Sequence, residues 1–125
     1  LTEARAMVER AYAPYSGVRV GAAAIADDGR TVAGCNVENA SYPATICAER
    51  TALVRAVAEG RDPGEIDLIA IHVDGPEGQP CGMCRQFMLE LAPQARVAFT
   101  SGGNYVEGPA SALLPDAFVP GALEA

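Results

Sequence analysis

Cys47, Cys81 and Cys84 are the residues of this chain best suited to do chemistry. Cys81 and Cys84 form a C-x-x-C within Pro80-Cys81-Gly82-Met83-Cys84, and Cys47 opens the segment Cys47-Ala48-Glu49-Arg50. Taken alone, a C-x-x-C is ambiguous among a redox pair, half a zinc site and chance. A redox pair is expected just after the first strand of a thioredoxin-like unit, whereas this one comes late in the chain. Each cysteine segment runs into helix-forming sequence, so a loop delivers a sulfur to each helix N-terminus. The unpaired N–H groups and the positive dipole end there favour a thiolate. Cys81 and Cys84, three positions apart, project from one face of the same first turn. Cys47 completes a set of three if the two helices lie side by side. Three protein ligands leave a zinc ion one position for water, the layout of a catalytic site rather than a structural one.

Glu49 adds the second half of that chemistry. Two residues after Cys47, its carboxylate can approach the open position without filling it, take a proton from the attacking water and pass it on. Three thiolates make the site anionic with Zn²⁺, which lowers the acidity of water there. Arg50 and Arg85, each beside a ligand segment, are candidates to hydrogen-bond the sulfurs and draw charge off them. Cys35 is expected to be a buried bystander thiol and His72 a core or edge imidazole, because three sulfurs already suffice.

The elements that must position these groups follow from pattern. Thr2 to Tyr12 predicts an amphipathic helix, stopped by Pro14. Val18 to Ile25 and Thr31 to Val37 predict an antiparallel hairpin turning at Asp27-Asp28-Gly29. Cys47 to Glu59 predicts a helix ended by Gly60. Ile66 to Val73, apolar without alternation, predicts a central strand covered on both faces. Cys81 to Leu91 predicts a helix closed by Pro93, and Arg96 to Thr100 another strand. A short strand at Tyr105 to Glu107 and a helical turn within Ala110 to Leu123 complete the order. The expected fold is a three-layer α/β/α arrangement around one mixed sheet of about five strands, forming a single domain over residues 1–125.

Composition narrows the partners. The 125 residues carry nine basic side chains, all Arg, against sixteen acids, for a net charge of −7. That balance repels a phosphate backbone and makes a nucleic acid polymer an unsuitable partner. Apolar runs fall short of the ~20 residues a membrane span needs, and the first ten residues lack a signal-peptide core. A cytoplasmic location is the expectation, and there disulfides are disfavoured.

From Tyr12 to Phe118 the chain resembles the small, homotetrameric cytidine deaminases of nucleoside salvage. The likeness rests on Ala13-Pro14-Tyr15-Ser16, Val20-Gly21-Ala22-Ala23, Gly34 to Tyr42, Thr45 to Ala52, Pro80 to Gln86 and Leu113 to Phe118. It includes the three-ligand, non-ligand-Glu layout of zinc nucleobase deaminases. The resemblance implies hydrolytic deamination of cytidine and 2′-deoxycytidine to uridine and 2′-deoxyuridine, with zinc at Cys47, Cys81 and Cys84 and Glu49 as the proton carrier. It implies that Asn36 and Glu38 bind the ribose 3′-hydroxyl and that the Ala48 backbone contacts the pyrimidine. Ala40 and Tyr42 would reach a neighbouring subunit's substrate, and Phe118 would be lent across the tetramer to the base. Val18 departs from the family, which commonly has Phe there to pack on the pyrimidine; losing the ring forgoes about 0.5–1.5 kcal/mol of contact. That departure keeps open a deaminase of a modified cytosine nucleoside such as blasticidin S. A non-catalytic zinc-binding module is the more distant alternative, and it would need a fourth protein ligand.

Overall fold

A computed structural model describes residues 2–74, 78–101, 103–114 and 117. Five strands, β1 (Val20–Ala26), β2 (Thr31–Cys35), β3 (Ile66–Val73), β4 (Arg96–Ser101) and β5 (Asn104–Pro109), form one mixed sheet in the order β2-β1-β3-β4-β5. β3 and β4 run parallel, and the other neighbouring pairs are antiparallel. A parallel pair cannot be closed by a tight turn and needs a crossover. Here that connection contains helix α3 (Gly82–Leu91). Helix α2 (Ala48–Ala58) lies between β2 and β3 in sequence, and helix α1 (Thr2–Met7) precedes β1.

The two sheet faces bury different sets of residues. Ala22 and Ala24 of β1, Ile69 and Ile71 of β3, and Val97 and Phe99 of β4 form a core with Ala52 and Leu53 of α2 and Cys84 and Met88 of α3. Ala23 and Ala70 face the other way and pack with Ala4 of α1. Helices therefore cover both faces, as the apolar run of β3 predicts. Small residues set how close the layers come. A Cβ on Gly34 would lie 2.5 Å from the Ala52 nitrogen and 2.8 Å from the Ala48 oxygen, so α2 rests directly on β2. Gly21 plays the same part for α1, since a Cβ there would collide with the Ala4 carbonyl.

Element ends differ from the pattern where tertiary contacts intervene. α1 tightens to a 3-10 turn at Val8–Arg10, and Ala11 is extended. The chain leaves the helix there because the Tyr12 N–H donates to Asn36 O (3.0 Å) and Tyr12 O accepts from the Glu38 N–H (2.8 Å). β1 starts after Val18 and β2 stops before Val37, which pairs instead with Ile46, because the Asn36 side chain intervenes. Its Oδ1 accepts from the Val20 N–H and its Nδ2 donates to Val18 O, at 2.9 and 2.8 Å. β5 is longer than the three residues expected, pairing along all of β4 from Arg96↔Pro109 to Ser101↔Asn104. The expected turn after it begins as a 3-10 turn at Ala110–Ala112. Phe118 lies outside the described residues.

Candidate metal and acid–base site

Cys47 and Cys81 are the N-caps of α2 and α3, and both helices begin at the same end of the sheet. Packing of Ala48 and Ala52 near Cys84 and Met88 brings those starts together. The Sγ atoms of Cys47 and Cys81 lie 3.7 Å apart, and those of Cys81 and Cys84 3.1 Å apart. All three sulfurs fall within 4.8 Å of one another, the one such donor group among the described residues. Tetrahedral zinc with bonds of about 2.3 Å requires sulfurs about 3.8 Å apart, so this donor set fits the ion in both chemistry and spacing. Cys35, buried on β2, and His72 on β3 stay outside the group, as expected.

The sulfurs polarise one another. A hydrogen bond from the Cys84 thiol holds Cys47 low, to about 5, with Arg50 adding to the effect. Cys84, the deeper of the two, is driven up by that same bond and by burial. Arg50 Nη2 donates to Thr45 O at 3.0 Å and stands 3.7 Å from Cys47 Sγ. Its Nε is buried without a hydrogen-bond partner. Arg50 thus stands within reach of the Cys47 sulfur. Arg85 does not share that place. Its guanidinium donates to Pro80 O at 2.8 Å and Leu113 O at 2.9 Å, tying the start of α3 to the segment after β5.

Glu49 is only 3% exposed, and burial pushes its carboxyl up to about 6. Asn36 and Glu38 are the other buried polar side chains among the described residues. Buried polar groups cost free energy unless they are bonded, so their coincidence with predicted site positions is informative. Glu38 Oε1 accepts the N–H groups of Tyr15 and Ser16 at 3.0 and 3.1 Å, and Oε2 accepts the Ser16 hydroxyl. These bonds hold the Glu38 carboxyl below its ordinary value, the Ser16 hydroxyl first.

A cavity of about 160 Å³ joins Asn36 to Glu49 and two of the three cysteines. Asn36, Cys47, Ala48, Glu49 and Cys81 line it, together with Val20, Thr45, Ile71, Val73, Gly78 and Gln79. It opens at the C-terminal end of β3, where ligands bind in open sheets containing parallel strands. The second group of lining residues went unread in the sequence. The signal for Ile71 and Val73 was the apolar end of β3 running straight into a Gly/Pro segment. Val18, Glu38, Ala40 and Tyr42 are not in the lining. Val18 is exposed, and the exposed Tyr42 ring meets Tyr15 edge-on at 6.4 Å. A larger cavity of about 480 Å³ lies along the outer side of α3, lined by Met83, Phe87 and Leu91 among others. It holds neither the sulfurs nor Glu49.

The mixed sheet, the two helix starts and the three-sulfur group define an α/β protein with three cysteines placed to hold a metal ion and a buried carboxylate opening onto the same cavity. The family model described as "Cytidine and deoxycytidylate deaminase zinc-binding region" matches residues 1–100, and the chain belongs to that family. A cytidine deaminase of Halalkalibacterium halodurans is 46% identical over 115 residues, 88% of this chain and 84% of the relative. One from Sporosarcina psychrophila is 38% identical over 120 residues, 94% of this chain and 88% of the relative. The crystal structure of cytidine deaminase from Burkholderia pseudomallei superposes with a TM-score of 0.86 at 50% identity, covering 94% of each chain.

Proposed function

We propose that this protein deaminates cytidine and 2′-deoxycytidine hydrolytically, giving uridine and 2′-deoxyuridine with release of ammonia. The observation that carries the reading is the buried Glu49 carboxylate opening onto the same cavity as Cys47 and Cys81. Zinc held by Cys47, Cys81 and Cys84 would supply Lewis-acid activation of water. Glu49 accepts one proton of the attacking water and delivers it to ring N3 of cytosine as C4 is attacked; it then takes the proton of the new C4 hydroxyl and passes it to the departing amine, so that the C4 carbonyl forms as ammonia leaves. Val20, Ile71 and Val73 give the cavity apolar walls that exclude bulk water around that carboxylate. Ala48, at the exposed-dipole start of α2, offers the pyrimidine its backbone. Asn36 and Glu38 bind the sugar 3′-hydroxyl.

The chain acts as a single catalytic domain of a cytoplasmic homotetramer, with Ala40, Tyr42 and Phe118 serving a neighbouring subunit's site. Supporting that assembly, apolar side chains stand exposed on three elements: Val54 and Val57 on α2, Met83 on α3, and Tyr105 and Val106 on β5. Among the described residues no helix is long and apolar enough to cross a membrane. The non-catalytic module is disfavoured, because among the described residues the sulfur group holds three donors and no fourth.

The test is uridine and ammonia formation from cytidine by zinc-loaded protein, with metal content measured on the same sample. Turnover that disappears on chelation and returns with zinc is expected. A fully zinc-loaded protein that leaves cytidine unchanged would contradict the reading.

A further inference from the structure

We propose that Ser16 is a positioning residue that couples the sugar end of the site to the loop bearing Val18. The proposal rests on the reading of Asn36 and Glu38 as sugar contacts. Ser16 Oγ donates to Glu38 Oε2 and accepts the Val18 N–H at 3.0 Å, so one hydroxyl fixes both partners. The Val18 carbonyl is in turn held by Asn36 Nδ2 at 2.8 Å. Ser16, Glu38, Asn36 and Val18 thus form a chain of bonds that closes around residues 16–20.

Counting donors and acceptors shows what the chain leaves free. Among the described residues, Glu38 Oε1 already accepts two N–H groups, whereas Oε2 accepts only the Ser16 hydroxyl and keeps a lone pair. Asn36 spends one amide hydrogen on Val18 O and keeps the other. Residues 36 and 38 are two apart in extended chain, so their side chains share a side. Together they offer one acceptor and one donor, the complement of a single hydroxyl group. The direction of the free lone pair on Oε2 is set by Ser16, the only side chain bonded to that oxygen among the described residues. Because Ser16 is exposed, removing its hydroxyl frees the Oε2 end of the carboxylate without opening a hole in the core.

Steady-state kinetics of the wild type, Ser16→Ala and Ser16→Thr on cytidine and 3′-deoxycytidine test this. A lost bond to a charged group raises KM for cytidine about tenfold in Ser16→Ala, with kcat within about threefold of wild type. That penalty vanishes on 3′-deoxycytidine, which lacks the hydroxyl Glu38 receives, and Ser16→Thr restores it to wild type on cytidine. An equal penalty on both substrates, or none on either, overturns the role of Ser16 while wild-type preference for cytidine leaves the sugar reading standing. A wild type that does not distinguish the two substrates overturns the sugar reading and the proposal with it.

Discussion

Cys47 Sγ and Cys81 Sγ lie 3.7 Å apart, although 34 positions separate them in the chain. Neither sulfur is placed by its own loop. Each belongs to the N-cap residue of a helix, and the two helices are set by small residues packed with them: Gly34 under α2 and Ala48, Ala52 and Cys84 in the shared core. Metal affinity should therefore depend on packing beneath the helices, as at Gly34 and Ala52, and not on the two loops alone.

Gly34→Ala tests that coupling. The added methyl meets the α2 backbone at 2.5 and 2.8 Å, which is overpacking against atoms that cannot rotate away. A destabilisation of about 1–3 kcal/mol is expected, read as a lowered Tm, together with reduced zinc content. Gly108→Ala, where a Cβ meets nothing within 4 Å, should change neither.

Arg50→Ala removes the guanidinium that bridges Thr45 O and Cys47 Sγ. Competition against a zinc chelator should show affinity falling about 10–100-fold, the usual loss for a partner behind a metal ligand. Arg85→Ala, whose bonds go to Pro80 and Leu113 carbonyls, should weaken zinc much less. Equal losses would place the charge-withdrawing role elsewhere.

Glu38 gives a pH dependence of stability. Its folded pKa lies below the ordinary carboxylate value, so the unfolded chain takes up the proton first as pH falls. The contribution is complete above the unfolded value and is lost as pH drops through the depressed folded one. Denaturant unfolding at a series of acidic pH values should show this loss, and Glu38→Gln should flatten it. An identical acid slope in the two proteins would show that the Ser16 and Tyr15 bonds do not stabilise the ionised form.

Much of this arrangement was legible in the sequence, and the exceptions share a cause. β3 runs from Ile66 to Val73 as its apolar pattern predicts, and the Cys47 and Cys81 helix starts fall where loop meets helix-forming residues. These features depend on local chemistry. The late start of β1 and the early end of β2, by contrast, depend on the Asn36 amide substituting for backbone pairing across the chain. Arg85 was misread because adjacency to a ligand says nothing about which way a long side chain turns. Ile71 and Val73 became cavity walls only once β3 was placed between β1 and β4, and the bond from Ser16 to Glu38 spans 22 positions that no local pattern links.

The most direct test of the chemistry is Glu49→Gln, assayed for zinc content and cytidine turnover on the same preparation. The amide keeps the shape of the buried side chain and leaves all three sulfurs in place, so zinc should be retained. Without a carboxylate to carry the proton, kcat should fall by about 100- to 10,000-fold. A zinc-loaded Glu49→Gln protein that turns over cytidine at the wild-type rate would contradict the assignment of Glu49 as the acid–base group.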